Sequence, residues 1–412
     1  MKKPNDSMER STPLLVSLVT LVLLAIAGCD SELINNNGRI YAGGVLFGWS
    51  LDLDGDVMLA PALETGTGYV LRKSGEGWDV EAELSPSISS VSDFGWSTAL
   101  DNGIGVISSP GIGIEQNNRI AFVFEDRGES WIETAALSPT DIPLDALFGQ
   151  PVDISEGAIV ASSRWRDEKR FYNRIHVYER VGGEWTETGQ IEDPAAEPPH
   201  LDLPSLFGRG LAISGNTLAV GSPGQDVDGE QDVGLVRVYE RAGDEWVLTA
   251  TLTNPTERFA RGIGEDLAMD GPLLAVKVRG RTTPGTNNPG AVFVYRKVGA
   301  SWEFEAELGP PTTPSDFGAI ERALDVDRDR IAVGVWGAQD GRGGVYVWAR
   351  QPSGAWVLEA ELSPEGYGPG TAFGEDVALD GDRLVASASQ IDGERGGVFE
   401  FRREGTEWVQ VK

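Results

Sequence analysis

Seven copies of one block run along this chain, and no other feature constrains the fold as tightly. The stretch from Phe207 to Pro223 and the stretch from Phe94 to Pro110 match in register, from an opening Phe-Gly through a central turn to a small-small-Pro ending. The same block opens at Phe47, Phe148 and Phe373. Ile263-Gly264 opens a copy that has lost the phenylalanine, and Ile320-Glu321, three residues after a Phe317-Gly318 pair, aligns best as the opening of the sixth. Each block is followed by a β-rich run, such as Ile175 to Tyr178 or Leu235 to Tyr239, then by a glycine-containing turn and a tryptophan. Those tryptophans are Trp78, Trp131, Trp185, Trp246, Trp302, Trp356 and Trp408. The openings run from 47 to 373, a mean period of about 54 residues.

One period holds four strands. Strand one follows Phe-Gly, and a tight turn such as Asp380-Gly381-Asp382 leads to strand two. A longer, variable loop leads to strand three, and a Gly-rich turn to strand four. One such sheet cannot bury both of its faces alone, but seven packed face to face around an axis can. The sequence therefore predicts an all-β, seven-bladed β-propeller with four antiparallel strands per blade. The recurrent Phe and Trp read as spacers between blades, each worth about 2–3 kcal/mol when buried. The last copy ends soon after Trp408, so its outer strand is short, and residues 39–46 are placed to pair beside it.

The repeat resembles the FG-GAP family, found in the propeller of integrin α-chains and in many bacterial surface proteins. The resemblance covers residues 39–412; its proline ending survives at Pro61, Pro110 and Pro223. Many FG-GAP repeats bind calcium in an Asp-x-Asp-x-Asp-Gly loop between their first two strands. Here that loop has shrunk to a turn too small to wrap an ion. Asp325, Asp327 and Asp329 fall in strand one and its turn rather than in a ligand loop. The candidate metal residues are instead Asp226, Asp228, Glu230 and Asp232, between strands two and three of copy four, where Gly229 permits a sharp bend. Calcium is the ion they would take, and no other cofactor is read from the chain.

Ahead of the repeats, Lys2, Lys3 and Arg10 precede an apolar run from Leu14 to Ala27, the length of a signal-peptide core and short for a membrane span. It ends Ala25-Ile26-Ala27-Gly28-Cys29, which resembles a bacterial lipobox. The resemblance implies cleavage before Cys29, the chain's only cysteine, and its lipidation. The expected organisation is a lipoprotein signal peptide (1–28), a lipidated cysteine with a short polar tether (29–38) and the propeller (39–412). The lipid would be the only membrane contact, placing a monomer in the bacterial cell envelope on its periplasmic or surface face.

With 64 acidic against 34 basic residues, a net charge of −30, nucleic acid is excluded as a natural partner. No Gly-x-Ser-x-Gly, His-Glu-x-x-His or phosphate-loop motif is present. Of the two histidines, His176 lies mid-strand among apolar residues and His200 in a proline-rich linker. The sequence is thus read as non-enzymatic: a binding or adhesion module for an envelope or extracellular protein or glycan. Its candidate contact residues are Arg164, Trp165, Arg166, Phe171 and Tyr172, an Arg- and aromatic-rich loop in an acidic chain. The alternatives are a periplasmic assembly scaffold, or an envelope enzyme acting on polysaccharide through carboxylates in the central channel, a pair of which the sequence cannot pick out.

Overall fold

A computed structural model describes residues 38–412, except 90, 112–118, 169, 195–204, 257–259, 280, 284–285, 289, 310–322 and 338–340. Cys29, His200 and the Phe317 and Ile320 openings lie outside the described residues. The architecture is the expected one: seven four-stranded antiparallel sheets, each in simple sequential order. From the axis outward, blade 1 is Asp52–Asp54, Val57–Ala62, Thr67–Ser74 and Gly77–Leu84. Blade 2 is Thr98–Asp101, Ile104–Ser109, Ile120–Asp126 and Trp131–Leu137. Blade 3 is Leu147–Ser155, Ala158–Arg166, Phe171–Val181 and Glu184–Glu192. Blade 4 is Leu211–Ser214, Thr217–Ser222, Leu235–Ala242 and Glu245–Leu252. Blade 5 is Leu267–Asp270, Leu273–Val278, Ala291–Val298 and Ser301–Leu308. Blade 6 is Leu324–Asp327, Arg330–Val335, Gly344–Arg350 and Trp356–Leu362. Blade 7 is Phe373–Asp380, Arg383–Ala388, Val398–Glu404 and Glu407–Gln410. Among the described residues no helix is long and apolar enough to cross a membrane.

The ring closes through both ends of the propeller. Glu407–Gln410 pairs with one half of the third strand of blade 7, and Arg39–Ile40 pairs with the other half, Arg39 opposite Phe399 and Ile40 opposite Val398. Ile40 and Phe47 then pack with Val385 and Val398 in one core cluster that joins blade 7 to blade 1.

The Phe-Gly signature has a local cause. Gly48, Gly95, Gly149, Gly208, Gly264 and Gly374 all adopt positive φ, between 79° and 104°, where a side chain is strained. The amide of Gly208 then donates to the Gly221 carbonyl at the end of its own second strand, as Gly48 does to Pro61 and Gly264 to Lys277. The five phenylalanines are buried, and those of blades 1, 2 and 7 meet an aromatic residue of their own third strand edge-on: Phe47 with Tyr69 at 5.7 Å, Phe94 with Phe122 at 5.6 Å, Phe373 with Phe399 at 5.9 Å. The tryptophans divide in role: Trp78 and Trp131 are buried, and the other five are half-buried at the outer strand. Trp78, Trp185 and Trp408 donate their indole N–H to Glu400, Glu125 and Glu359, each on the preceding blade.

Candidate functional site

The innermost strands bring three tiers of polar residues to the axis. The tier at the tight turns is a closed ring of clasps. Each residue there accepts the turn N–H of the next blade: Asn102 donates to Asp54, Glu156 to Asp101, Gly215 to Ser155, Gly271 to Ser214, Arg328 to Asp270, Gly381 to Asp327 and Gly55 to Asp380, at 2.7–3.0 Å. These aspartates therefore hold neighbouring blades in phase.

The middle tier carries Asp52, Asp153 and Asp325, with alanine at Ala99, Ala212, Ala268 and Ala378. One oxygen of each aspartate accepts the N–H of its own successor, and the other accepts Leu100, Ile213 or Leu379 N–H across the blade boundary, at 2.6–2.8 Å. Burial pushes all three carboxyls up, Asp153 and Asp325 to about 7, and mutual repulsion adds to this for Asp52 and Asp325.

The third tier, nearest the Phe-Gly turns, includes Asp266 and Asp376. Asp376 spans from blade 7 to blade 1 by accepting Leu51 N–H at 2.9 Å. Asp266 differs. Its Oδ1 accepts Leu267 N–H at 3.0 Å, but its buried Oδ2 has no hydrogen-bond partner. Burial raises its carboxyl to about 7 against the opposing pull of the Lys277 and Arg209 charges. Lys277 is itself 2% exposed, at a second-strand position that is Pro61, Ser108, Ser162, Gly221, Gly334 or Ser387 elsewhere, and burial lowers its pKa. All three tiers line a cavity of about 390 Å³ on the axis, and Arg209 is the only cation among its described lining residues.

The residues singled out from sequence lie away from this cavity, with one connection. Asp226, Asp228, Glu230 and Asp232 sit on the loop after Ser222 and do not gather into a ligand cluster. Asp226 Oδ1 accepts Asp232 N–H at 3.0 Å, and Asp232 pairs with Arg261 at 3.4 Å, so two of the four serve the loop itself. Trp165 and Tyr172 face each other across an extended hairpin and stack at 5.2 Å, with Arg174 over Trp165 and Arg170 over Tyr172. Arg166 is exposed and Phe171 half-buried at the hairpin tip, whereas Arg164 turns toward Arg209.

His176 occupies the third-strand spacer position held by Tyr69, Phe122, Phe293, Tyr346 and Phe399 in other blades, and packs on Phe148 at 5.6 Å. Both ring nitrogens are engaged, Nε2 with Ser163 Oγ at 2.8 Å and Nδ1 with Glu187 at 2.7 Å. Asp141, His176 and Glu187 are the one such group, among the described residues, whose ligand atoms lie within 4.8 Å of one another. Asp141 is already paired with Arg174.

No family model and no curated protein matches the chain. Solved propellers do. A candidate 6-phosphogluconolactonase from Bacteroides fragilis aligns over 92% of this chain and 94% of its own, with TM-score 0.51 and 12% identity. The periplasmic gluconolactonase of Pseudomonas aeruginosa aligns over 84% of this chain and 91% of its own, with TM-score 0.50 and 14% identity. Likeness at that identity establishes the propeller fold, and the FG-GAP resemblance gains no family match. The expectation of a non-catalytic, non-enzymatic adhesion module is corrected here. Both similar propellers bear the names of sugar-lactone enzymes, and the polar chemistry of this chain converges on the axis rather than on an exposed loop.

Proposed function

We propose that the protein is an envelope enzyme that hydrolyses a sugar lactone, or a related cyclic ester of a polyhydroxylated acid, in its axial cavity. One juxtaposition carries the reading: Asp266, an axial carboxylate with an oxygen left without a hydrogen bond, beside Arg209, the cation of the cavity lining. Ester hydrolysis needs a base for water and positive charge for the oxyanion, and here the lining offers both together. The names of the two similar propellers support the substrate class.

In the proposed reaction Asp266 accepts a proton from water as the water oxygen attacks the lactone carbonyl carbon. Arg209 stabilises the tetrahedral oxyanion. Collapse breaks the ring C–O bond, and the departing alkoxide takes the proton back from Asp266, leaving the open hydroxy acid and an ionised carboxylate. The axial aspartates Asp52, Asp153 and Asp325 would receive the substrate hydroxyls.

The test is hydrolysis of D-glucono-1,5-lactone by the purified protein, read by pH-stat above the spontaneous rate. Asp266→Asn is expected to lower kcat/KM by about 10²-fold or more. With a base whose pKa is about 7, kcat/KM should rise with pH and level off above it. A wild-type rate equal to the spontaneous one, or an unimpaired Asp266→Asn, refutes the proposal. The proposal retains the lipid anchor at Cys29, supported by its lipobox-like setting, and descent of the blades from FG-GAP-type repeats, supported by the Phe-Gly register. Cys29→Ala should abolish incorporation of labelled palmitate if the anchor is real.

A further inference from the structure

Blades 5 and 7 carry an aspartate at the same place in the repeat, three residues after Ile263 and Phe373, and they treat it differently. In blade 7, Asp376 lies opposite Ser387 of the second strand. Its Oδ1 accepts Val377 N–H, its Oδ2 accepts Leu51 N–H of blade 1, and its own N–H donates to Ser387 Oγ, each at 2.9 Å. Both carboxylate oxygens serve the ring. In blade 5, Asp266 Oδ1 accepts Leu267 N–H in the same way, but among the described residues no donor reaches Oδ2. The residue opposite is Lys277. Its N–H donates to the Asp266 carbonyl at 3.0 Å, and its carbonyl accepts Gly264 N–H at 3.1 Å. The other six blades hold Pro61, Ser108, Ser162, Gly221, Gly334 and Ser387 at this position, so blade 5 alone puts a cation there.

Lys277 is buried, and its Nζ has no hydrogen-bond partner among the described residues. Glu265 Oε2 stands 3.6 Å away, an ion pair too long for a hydrogen bond. Glu265 is also buried and is paired with Arg279. Arg209, on the segment leading into blade 4, adds its charge to both Glu265 and Asp266. On the blade 6 side the acidic neighbour is Asp325, one tier away along the cavity wall. Among these groups Lys277 acts most strongly on Asp266: burial raises the Asp266 carboxyl, and the Lys277 charge leads those that oppose it. Burial in turn lowers the Lys277 pKa, against the pull of Glu265 and Asp266. Burying an ammonium is costly, and the ring does not require one here, since Ser387 serves the same position in blade 7. Lys277 does not line the axial cavity, so its effect on a substrate passes through Asp266.

We propose that Lys277 is a positioning residue for lactone hydrolysis: its ammonium, set behind Asp266 without a hydrogen bond to it, keeps Asp266 a charged carboxylate and leaves Oδ2 to take the proton of the attacking water. The proposal rests on Asp266 being the base of the axial site. A lysine bonded to Oδ2 would occupy the oxygen that must accept the proton. A serine, as in blade 7, would bring no charge. An unbonded ammonium opposite the carboxylate supplies the charge and spares the oxygen.

The test has two arms. The first reads kcat/KM for D-glucono-1,5-lactone against pH by pH-stat, with the spontaneous rate subtracted, in wild type and Lys277→Met. Without the ammonium Asp266 holds its proton more tightly, so the rise of kcat/KM should move up by about one pH unit. From a wild-type midpoint of about 7, the variant is expected to lose about tenfold at pH 5.5 and only about twofold at pH 8, with KM unchanged within about twofold. The same factor at both pH values, as a merely structural role would give, or no loss at either, overturns the proposal. If Lys277→Met does not fold, Lys277→Ser, the residue of blades 2, 3 and 7, is read in its place, and Glu265 keeps Arg279 in both variants. The second arm needs no turnover. The carbon-13 carboxyl resonance of Asp266, identified by its loss in Asp266→Asn, is titrated in wild type and in the Lys277 variant. An upward shift of about one unit is expected, and equal midpoints overturn the proposal. That shift in a protein that hydrolyses no lactone leaves the coupling standing and removes the activity instead.

Discussion

The clasp ring at the tight turns makes a prediction for which the chain supplies its own control. Asp327 Oδ2 accepts Gly381 N–H at 2.9 Å and so ties blade 6 to blade 7. At the same tier Ser155 and Ser214 make the same tie with a hydroxyl, at 3.0 and 2.9 Å. Asp327→Ala removes the acceptor and leaves a turn N–H without its partner. A hydrogen bond to a charged group is worth about 1.5–3 kcal/mol, and the partial exposure of this one sets the expectation at the lower end, about 1.5 kcal/mol. For a propeller of roughly 370 residues, an unfolding entropy of about 2.1 cal/mol/K per residue converts this to a Tm drop of about 2 °C by calorimetry. Asp327→Ser should fall by less than about 0.6 °C, because it restores the acceptor. It also removes repulsion: burial raises the Asp327 carboxyl first, and the charges of Asp270 and Asp380 add to that. The serine variant should therefore gain on wild type as pH rises and Asp327 ionises. Equal losses for Ala and Ser, or no loss for Ala, would refute the clasp and reduce the acidic turn ring to solvated surface.

Two further outcomes follow from buried polar groups. Asp153, Asp266 and Asp325 have folded pKa values of about 7 against an ordinary 3.8, so the folded state holds their protons more tightly. Their contribution is full below about 4 and is lost as pH rises through 7, about 2 kcal/mol per group between pH 5.5 and 8.5; a Tm that stays flat or rises over that interval would count against the axial assignment. His176→Phe copies the spacer of other blades but leaves the buried Ser163 hydroxyl with only its long bond to the Arg174 carbonyl at 3.4 Å, and should cost about 1–3 kcal/mol in urea unfolding. Adding Ser163→Ala should recover most of that loss, and a double variant no better than the single would show that the hydrogen bond is not the cause.

The fold was legible because a propeller writes its packing rule into every repeat. The glycine of Phe-Gly is needed for one reason in all six copies whose opening is described, a positive φ beside a close second strand, so degenerate copies could be aligned by their neighbours. The shortness of the last strand pointed to residues 39–46 as its neighbour but left ring closure open, and Arg39–Ile40 in fact pairs with the half of the third strand that the outer strand leaves uncovered. The site was less legible. An aspartate at the end of strand one looks like turn chemistry or the remnant of a calcium loop, and only the next blade, about 54 residues away, reveals that it caps a neighbour. Asp266 and Arg209 could not be paired from sequence, since one belongs to blade 5 and the other to blade 4. Lys277 did leave a mark, a long cation where other copies have Pro, Ser or Gly, and a column-by-column reading of the repeats would have found it.

The same reading explains the middle tier. Its aspartates fall on blades 1, 3 and 6, so no two adjacent blades contribute one, even where blade 7 meets blade 1. Each reaches forward for an N–H of the next blade, and in every case that blade carries alanine at the tier: Ala99 after Asp52, Ala212 after Asp153, Ala378 after Asp325. Two requirements meet in that order. A larger side chain at the alanine would fill the space through which the carboxylate crosses the boundary, and a second carboxylate there would set like charges side by side in a buried setting, where one of them could not ionise. A serine, as at Ser155 and Ser214 one tier away, accepts only the N–H of the next blade, whereas each middle-tier carboxylate also accepts the N–H of its own successor through its other oxygen. The blade-by-blade spacing of the three carboxylates therefore follows from the clasps themselves: each needs an alanine on the next blade to cross the boundary, and burial makes each one a cost in stability above neutral pH.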